Sequence, residues 1–211
     1  MAPAASTHES SAGSPSETIQ LLRESLTSGG KTGAWPHPDA QSPRALVEFT
    51  ARIAKRSKPD SILDPVCGYG MLLAGAAEAS GAETVHGMEI NAEAAAVASI
   101  VLGGSRTMIH GDCLLSDEEL LEQYDLIVAD PPLGARLSKK QSAAIGLKAR
   151  SLGFAEGLLV WAASRLTEDG VALVVVEPHF FFNKQSSKVH EALGKLGCRV
   201  VAAIHLPGGE R

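Results

Sequence analysis

From residue 61 onward the chain alternates short apolar runs with helical stretches, and this alternation limits the available folds more than any other feature. The strand candidates are Ser61–Leu63, Thr84–Met88, Thr107–His110, Leu126–Ala129, Val171–Val176 and Val200–His205. Helical stretches fall between them, over 71–80, 91–102, 151–167 and 185–196. A helix between two strands carries the chain back across the sheet, so successive strands run parallel and both faces are covered. The expected fold is therefore α/β, doubly wound, with a mostly parallel sheet. No internal repeat competes with this reading.

The residues before this region read differently. Residues 1–13 are rich in Ala, Ser, Gly and Pro, without apolar periodicity, and are expected to be a disordered lead-in. Residues 14–41 suit a short helix and a loop. Ser14-Pro15-Ser16-Glu17 supplies a hydroxyl cap, Pro at the first helical position and Glu three residues after the cap; Ile19, Leu22 and Leu26 follow at helical spacing. Gly29-Gly30 ends that helix, and Thr32 to Gln41 is punctuated by Pro and Gly. Ser42-Pro43 then opens a second helix, with Leu46, Phe49 and Ile53 as its expected buried stripe. Residues 42–211 are read as one larger domain.

Bulk properties exclude several classes. A chain of 211 residues, 45% hydrophobic and 20% charged, has the composition of a soluble globular protein. Its longest apolar run, Val171 to Val176, is too short to span a bilayer, and the N-terminus lacks a signal-peptide pattern, so no membrane association is expected. Cys67, Cys113 and Cys198 are widely spaced and form no C-x-x-C pair, which argues against a metal site and for a reducing cytoplasm. A net charge of −5 argues against gripping nucleic acid with the whole surface but permits local basic patches.

Ligands of open α/β sheets collect at the carboxyl ends of the strands. The first strand runs into Asp64-Pro65-Val66-Cys67-Gly68-Tyr69-Gly70, where two glycines permit a sharp turn and close approach to a ligand. Such a turn also serves as a tight strand–helix connection, and the third glycine of a dinucleotide fingerprint is replaced by Leu73. The second strand ends at Glu89-Ile90-Asn91, where an acid can accept from two ribose hydroxyls, and the third at Gly111-Asp112-Cys113, where an acid can accept from an adenine amino group. With acids at three consecutive strand ends, the segment resembles the class I methyltransferases, which implies S-adenosyl-L-methionine as cofactor. By that resemblance Asp64, Gly68 and Gly70 line the methionine moiety, Glu89 the ribose and Asp112 the adenine ring, with Pro65, Cys67, Ile90 and Cys113 also among the cofactor-binding residues. Ser42-Pro43-Arg44 resembles a Thr-Pro-Arg segment that holds the cofactor's amino-acid end in DNA amino-methyltransferases; a plain helix cap is the alternative.

The fourth strand ends in Asp130-Pro131-Pro132-Leu133-Gly134, where consecutive prolines stop pairing and stiffen the backbone. An exocyclic amino nitrogen is a poor nucleophile because its lone pair is delocalised into the ring. Asp130 and the carbonyl of Pro131 could accept both its N–H groups and aim the lone pair, by positioning and electrostatics, without a metal. A base in duplex DNA would first be flipped out. These motifs together resemble the N6-adenine DNA methyltransferases, above all the modification subunits of type I restriction systems. The resemblance spans residues 40–209, including Ile204-His205-Leu206-Pro207-Gly208-Gly209. It implies a methyltransferase catalytic domain over 42–211, Asp130, Pro131, Pro132 and Leu133 as catalytic segment, Asp130 also beside the cofactor, and specificity and restriction subunits as partners.

Three departures qualify it. Leu133 stands where the family carries Phe or Tyr to stack on the base, and stacking is worth about 1–3 kcal/mol. Asp130 replaces the Asn commoner in type I subunits. The family continues beyond the position of Arg211 with another strand, so a shortened domain is expected. Arg136, Lys139, Lys140, Lys148 and Arg150 follow the reactive segment without an intervening acid, and are read either as phosphate contacts or as a solvated basic loop. Arg52, Lys55, Arg56 and Lys58 sit at a helix end, where dipole compensation is an adequate account. Phe180-Phe181-Phe182 supplies either a replacement stacking ring or core packing. The leading expectation is adenine-N6 methylation of DNA. An RNA base or a protein glutamine as acceptor, and a non-catalytic cofactor- or DNA-binding module, remain alternatives.

Overall fold

A computed structural model of the chain describes residues 15–27, 40–103, 106–115, 120, 122–146, 152–182 and 186–206. Two helices come first, α1 (Pro15–Thr27) and α2 (Arg44–Ser57). Then β1 (Ser61–Asp64), α3 (Met71–Ser80), β2 (Thr84–Glu89), α4 (Ala92–Leu102) and β3 (Thr107–His110) alternate as expected. They are followed by β4 (Tyr124–Ala129), α5 (Lys139–Ala144), α6 (Phe154–Ala163), β5 (Leu166–Val174), a 3-10 turn over Pro178–Phe181, and α7 (Ser186–Lys195). The five strands form one parallel sheet in the order β3-β2-β1-β4-β5. The expected doubly wound class is the one observed.

Alternation along the strands decides which helices cover which face. Ile62, Val85, Leu126 and Val128 point to the side where Leu26, Leu46, Leu73 and Val101 of α1–α4 close the core. Leu63, Met88, Ile127 and Ala129 point to the other side, against Leu158, Trp161 and Ala162 of α6. A third cluster joins the far side of α6 to α7, through Leu152, Val160, Phe180, Val189 and Leu193. Both faces of β1 and β4 are therefore dry. The order of strands reverses at β1, whose carboxyl end lies between those of β2 and β4.

Several local expectations need correction. Val200–His205 is not a strand: residues 199–206 form no ladder, and Val201 and Ile204 are 75% and 60% exposed. β-Branched side chains favour extended backbone, but a strand persists only where a neighbour accepts its hydrogen bonds, and none of the described strands does so here. The helix expected over 151–167 is confined to Phe154–Ala163, and the strand expected at Val171 begins at Leu166. Arg165 and Leu166 are claimed by β4 instead, through Tyr124 N–H to the Arg165 carbonyl and the Tyr124–Leu166 pair; residues 167–170 then bulge before pairing resumes at Val171. Helix α2 is capped by Pro43 without a side-chain bond, so Ser42 is not its cap. Its most buried face is Leu46, Thr50 and Ala54, with Phe49 and Ile53 only half-buried. Ser14, Gly29, Gly30 and most of the expected loop to Gln41 lie outside the described residues.

Asp125 locks the sheet at the end away from the strand carboxyl termini. Its carboxylate accepts from Asp60 N–H (3.1 Å), Ser61 N–H (3.1 Å), Ser61 Oγ (3.0 Å) and Thr167 Oγ1 (3.0 Å), joining β1, β4 and β5. Burial pushes this carboxyl upward, but the Ser61, Thr167 and backbone hydrogen bonds outweigh it and hold the group below the usual carboxylate range. A depressed acid stabilises the fold above its unfolded value, about 3.9, and that contribution is lost as pH falls through the folded value. Asp125→Ala is expected to cost about 1–3 kcal/mol at pH 7. Chemical denaturation should show that difference shrinking once the pH drops below about 4.

Candidate functional site

The turn after β1 is built by its glycines. Gly68 has φ of +54° and Gly70 φ of +80°. A Cβ on Gly68 would lie 2.2 Å from the Ala40 carbonyl oxygen, so only glycine fits beneath the segment leading into α2. That carbonyl accepts from Tyr69 N–H at 2.9 Å, fixing residues 40–42 across the turn. Ser42 itself lines a cavity of about 430 Å³ between α1, α2 and the start of α3, together with Arg23, Arg44 and Met71. The carboxylates of the strand ends are not part of that lining.

Carboxyl groups stand at the ends of three adjoining strands: Asp64 at β1, Glu89 at β2 and Asp130 just after β4. Asp64 is buried and accepts from Val66 N–H at 3.1 Å. Burial drives its carboxyl well above the ordinary range; the Val66 N–H offsets part of this, and the nearby charges of Asp130 and Glu89 drive it further up. Glu89 accepts from Gly68 N–H (2.9 Å) and Asn91 N–H (2.7 Å), so it ties the glycine turn to the end of β2. Asp112, after β3, accepts from Leu114 N–H (3.0 Å) and Gln141 Nε2 (2.9 Å). Ile90 is 66% exposed, leaving an apolar surface beside these acids. Cys67 and Cys113 are buried, and burial pushes both thiols up, so neither is a nucleophile.

The segment after β4 is held on both sides. Pro131 is buried; Pro132, Leu133 and Gly134 are exposed. The N–H of Gly134 donates to Glu177 Oε1 at 2.8 Å, while Glu177 Oε2 is buried without a partner. Phe154 N–H donates to the Ala135 carbonyl, and Arg136 and Gly153 form an antiparallel bridge. Arg136, Lys139 and Lys140 are exposed on the segment leading into α5, whereas Lys148 and Arg150 lie outside the described residues. Leu133, 39% exposed, offers a small aliphatic surface and no ring. The phenylalanine triplet divides: Phe180 is buried in the α6–α7 core, but Phe182 is 89% exposed just beyond Glu177.

Two participants were not foreseen. Ser138-x-x-Gln141 is a capping box, in which Ser138 Oγ accepts from Gln141 N–H and Gln141 Oε1 accepts from Ser138 N–H. That spacing was available as a helix-start signal and would have located α5. Glu177 carries no such signal, because its role depends on β5 lying beside β4. Among the described residues no cluster of three potential metal ligands occurs, and no helix is long and apolar enough to cross a membrane.

Compared by sequence with curated proteins, the chain finds no match. Among solved structures it is similar to a candidate class I S-adenosylmethionine-dependent methyltransferase of Listeria monocytogenes, at TM-score 0.67 and 18% identity, covering 87% of this chain and 60% of that one. It is also similar to a modification subunit of a candidate type I restriction enzyme from Vibrio vulnificus YJ016 (TM-score 0.62, 20% identity, 85% and 42% covered). A third similar structure is the type I restriction-modification methyltransferase subunit from Streptococcus thermophilus (0.61, 19%, 73% and 38%). The chain thus spans less than two thirds of the length of each of them. These likenesses establish the fold as that of S-adenosylmethionine-dependent methyltransferases. The family model for N-6 DNA methylases matches residues 37–209, and the chain belongs to that family.

Proposed function

We propose that the chain is an S-adenosylmethionine-dependent methyltransferase acting on the exocyclic N6 amino group of adenine in DNA, within a restriction-modification or related system and alongside partner subunits. The observation that carries this reading is that Glu89 and Asp130, at the strand ends on either side, both lie within electrostatic reach of buried Asp64. Grouping like charges in a partly dry site is costly unless a cation joins them. S-adenosylmethionine fits that demand, since it carries a sulfonium and an ammonium group, and it supplies an electrophilic methyl group to an acceptor when bound.

The chain's own residues do the rest by holding and orienting. Asp64 and the Gly68–Gly70 turn face the cationic end, and Glu89 accepts from ribose hydroxyls with the oxygen capacity its two backbone partners leave over. Exposed Ile90 covers one face of the adenine ring, and Asp112 accepts from its amino group. Asp130 and the Pro131 carbonyl accept from the acceptor's N–H groups, so that the nitrogen lone pair is directed at the methyl carbon. Buried Pro131 and the Glu177–Gly134 bond keep this backbone from yielding. Arg136, Lys139 and Lys140 meet phosphates beside the extruded base.

Labelled methyl transfer to unmethylated DNA, in the presence of partner subunits, tests the assignment. Asp130→Ala is expected to lower kcat at least 100-fold, the size seen when one preorganised electrostatic contact is removed, and to weaken cofactor binding as well. Transfer at the wild-type rate would remove Asp130 from the mechanism, and label in RNA or protein instead of DNA would redirect the acceptor. Leu133→Phe restores a ring beside the base, and the KM for DNA is expected to fall about fivefold or more, the lower end of a stacking contribution; an unchanged KM would show that Leu133 does not face the base.

Asp64→Asn keeps the acceptor for Val66 but cannot ionise. An acid raised above its unfolded pKa stabilises the fold in acid and loses that contribution as pH rises through the folded value. The variant is therefore expected to melt roughly 2–4 °C higher than wild type near pH 8, a shift worth about 1 kcal/mol at this size. Cofactor affinity should fall at the same time. Thermal melts across pH 4–8, paired with titrations of the cofactor, check both signs.

A further inference from the structure

Gln141 joins two parts of the molecule that the proposed reaction uses separately. Its Nε2 donates to Asp112 Oδ2 at 2.9 Å, and its Oε1 accepts from Ser138 N–H at 2.8 Å. The first bond ends at the carboxylate after β3, the proposed partner of the cofactor's adenine. The second closes the first turn of α5, which carries the exposed cations Lys139 and Lys140. One half-buried amide thus bridges the cofactor side of the site to the basic segment across 29 residues of sequence.

The carboxylate remains competent for adenine while this bridge stands. An ionised carboxylate has about four acceptor positions, and Asp112 uses one on Oδ1 for Leu114 N–H and one on Oδ2 for Gln141. The amide orientation is set by its partners: a backbone N–H on one side requires the carbonyl oxygen there, leaving the amino group for Asp112. A donor held on Oδ2 limits the rotation of the carboxylate. The same bond makes the placement of α5 depend on where Asp112 sits.

We infer that Gln141 is a positioning residue that couples occupancy of the cofactor's adenine site to the placement of the Arg136–Lys140 nucleic-acid segment. The inference rests on the cofactor reading proposed above. With Asp112 fixed by an adenine amino group, α5 is held in one arrangement and its cations are presented together. Occupancy of either site then favours the other by the same factor.

The test uses Gln141→Ala and Gln141→Glu. Glutamate at the third helical position keeps the capping box, accepting from Ser138 N–H as glutamine does, but faces Asp112 with an oxygen in place of a donor. It separates the bridge from the cap. S-adenosylhomocysteine affinity is measured by calorimetry, and affinity for a fluorescent DNA oligonucleotide by anisotropy with and without S-adenosylhomocysteine, thermal melts confirming that each variant is folded. In wild type, S-adenosylhomocysteine is expected to tighten DNA binding about fivefold, the lower end of ordinary allosteric coupling. In both variants S-adenosylhomocysteine binding should weaken and the tightening should vanish; should Gln141→Ala fail to fold, Gln141→Glu decides alone. If Gln141→Glu keeps wild-type affinity and coupling, Gln141 is a helix cap only and the inference is overturned. Wild-type protein that tightens on neither ligand overturns it as well, while wild-type protein that does not bind S-adenosylhomocysteine at all contradicts the cofactor reading beneath it.

Discussion

Asp64, Glu89 and Asp130 stand at the carboxyl ends of three adjoining strands, where the last two act on the charge of the first, and the surrounding structure is arranged to keep them there. Asp64 is the most constrained, because it ends the central strand and both faces of that strand are buried. Glu89 is anchored from the neighbouring turn by Gly68 N–H, and Asp130 sits at the end of the strand on the other side. Their proximity raises Asp64 in addition to the effect of burial. Such crowding opposes folding, and the large apolar clusters on the two faces of the sheet offset it. Strain of this kind is what a site for a cationic ligand requires before the ligand arrives.

The opposite end of the sheet supplies the rigidity. Asp125 ties β1, β4 and β5 together at their starts, so the spacing of the strand ends is not set by the site alone. On the site side, the Pro-Pro segment is fixed by Glu177 and by the 135–136 pairing with 153–154, and not by helical structure. The segment that would meet the acceptor is therefore held by a few identifiable bonds.

The fold was legible because alternating strand and helix periods leave few arrangements, and because each strand end was marked by an acid or a glycine. Asp64, Glu89, Asp112 and Asp130 could be placed on consecutive strand ends from their positions alone. The unpaired Val200–His205 segment was misread because β propensity describes a residue's fit to a pleated surface and says nothing about whether a partner strand is present. The Ser42 cap failed for a related reason: the segment before α2 is committed to the glycine turn through Ala40, and Pro43 takes the cap position. Glu177 was invisible, because it acts through a contact that exists only once β4 and β5 are adjacent; the Ser138–Gln141 cap was legible as a spacing, but the bond from Gln141 to Asp112 was not. The phenylalanine triplet gave both answers, one ring in the core and one in solvent.

The central claim is that these strand ends form a cofactor site, and direct titration of the chain with S-adenosylmethionine tests it most simply. Wild type and Glu89→Ala should be measured side by side, with a thermal melt to show that both are folded. The account predicts binding by wild type and an affinity at least tenfold lower for Glu89→Ala, since hydrogen bonds to a charged group are worth about 1.5–3 kcal/mol. Failure of the folded wild-type chain to bind, or equal affinity in the two proteins, would contradict it.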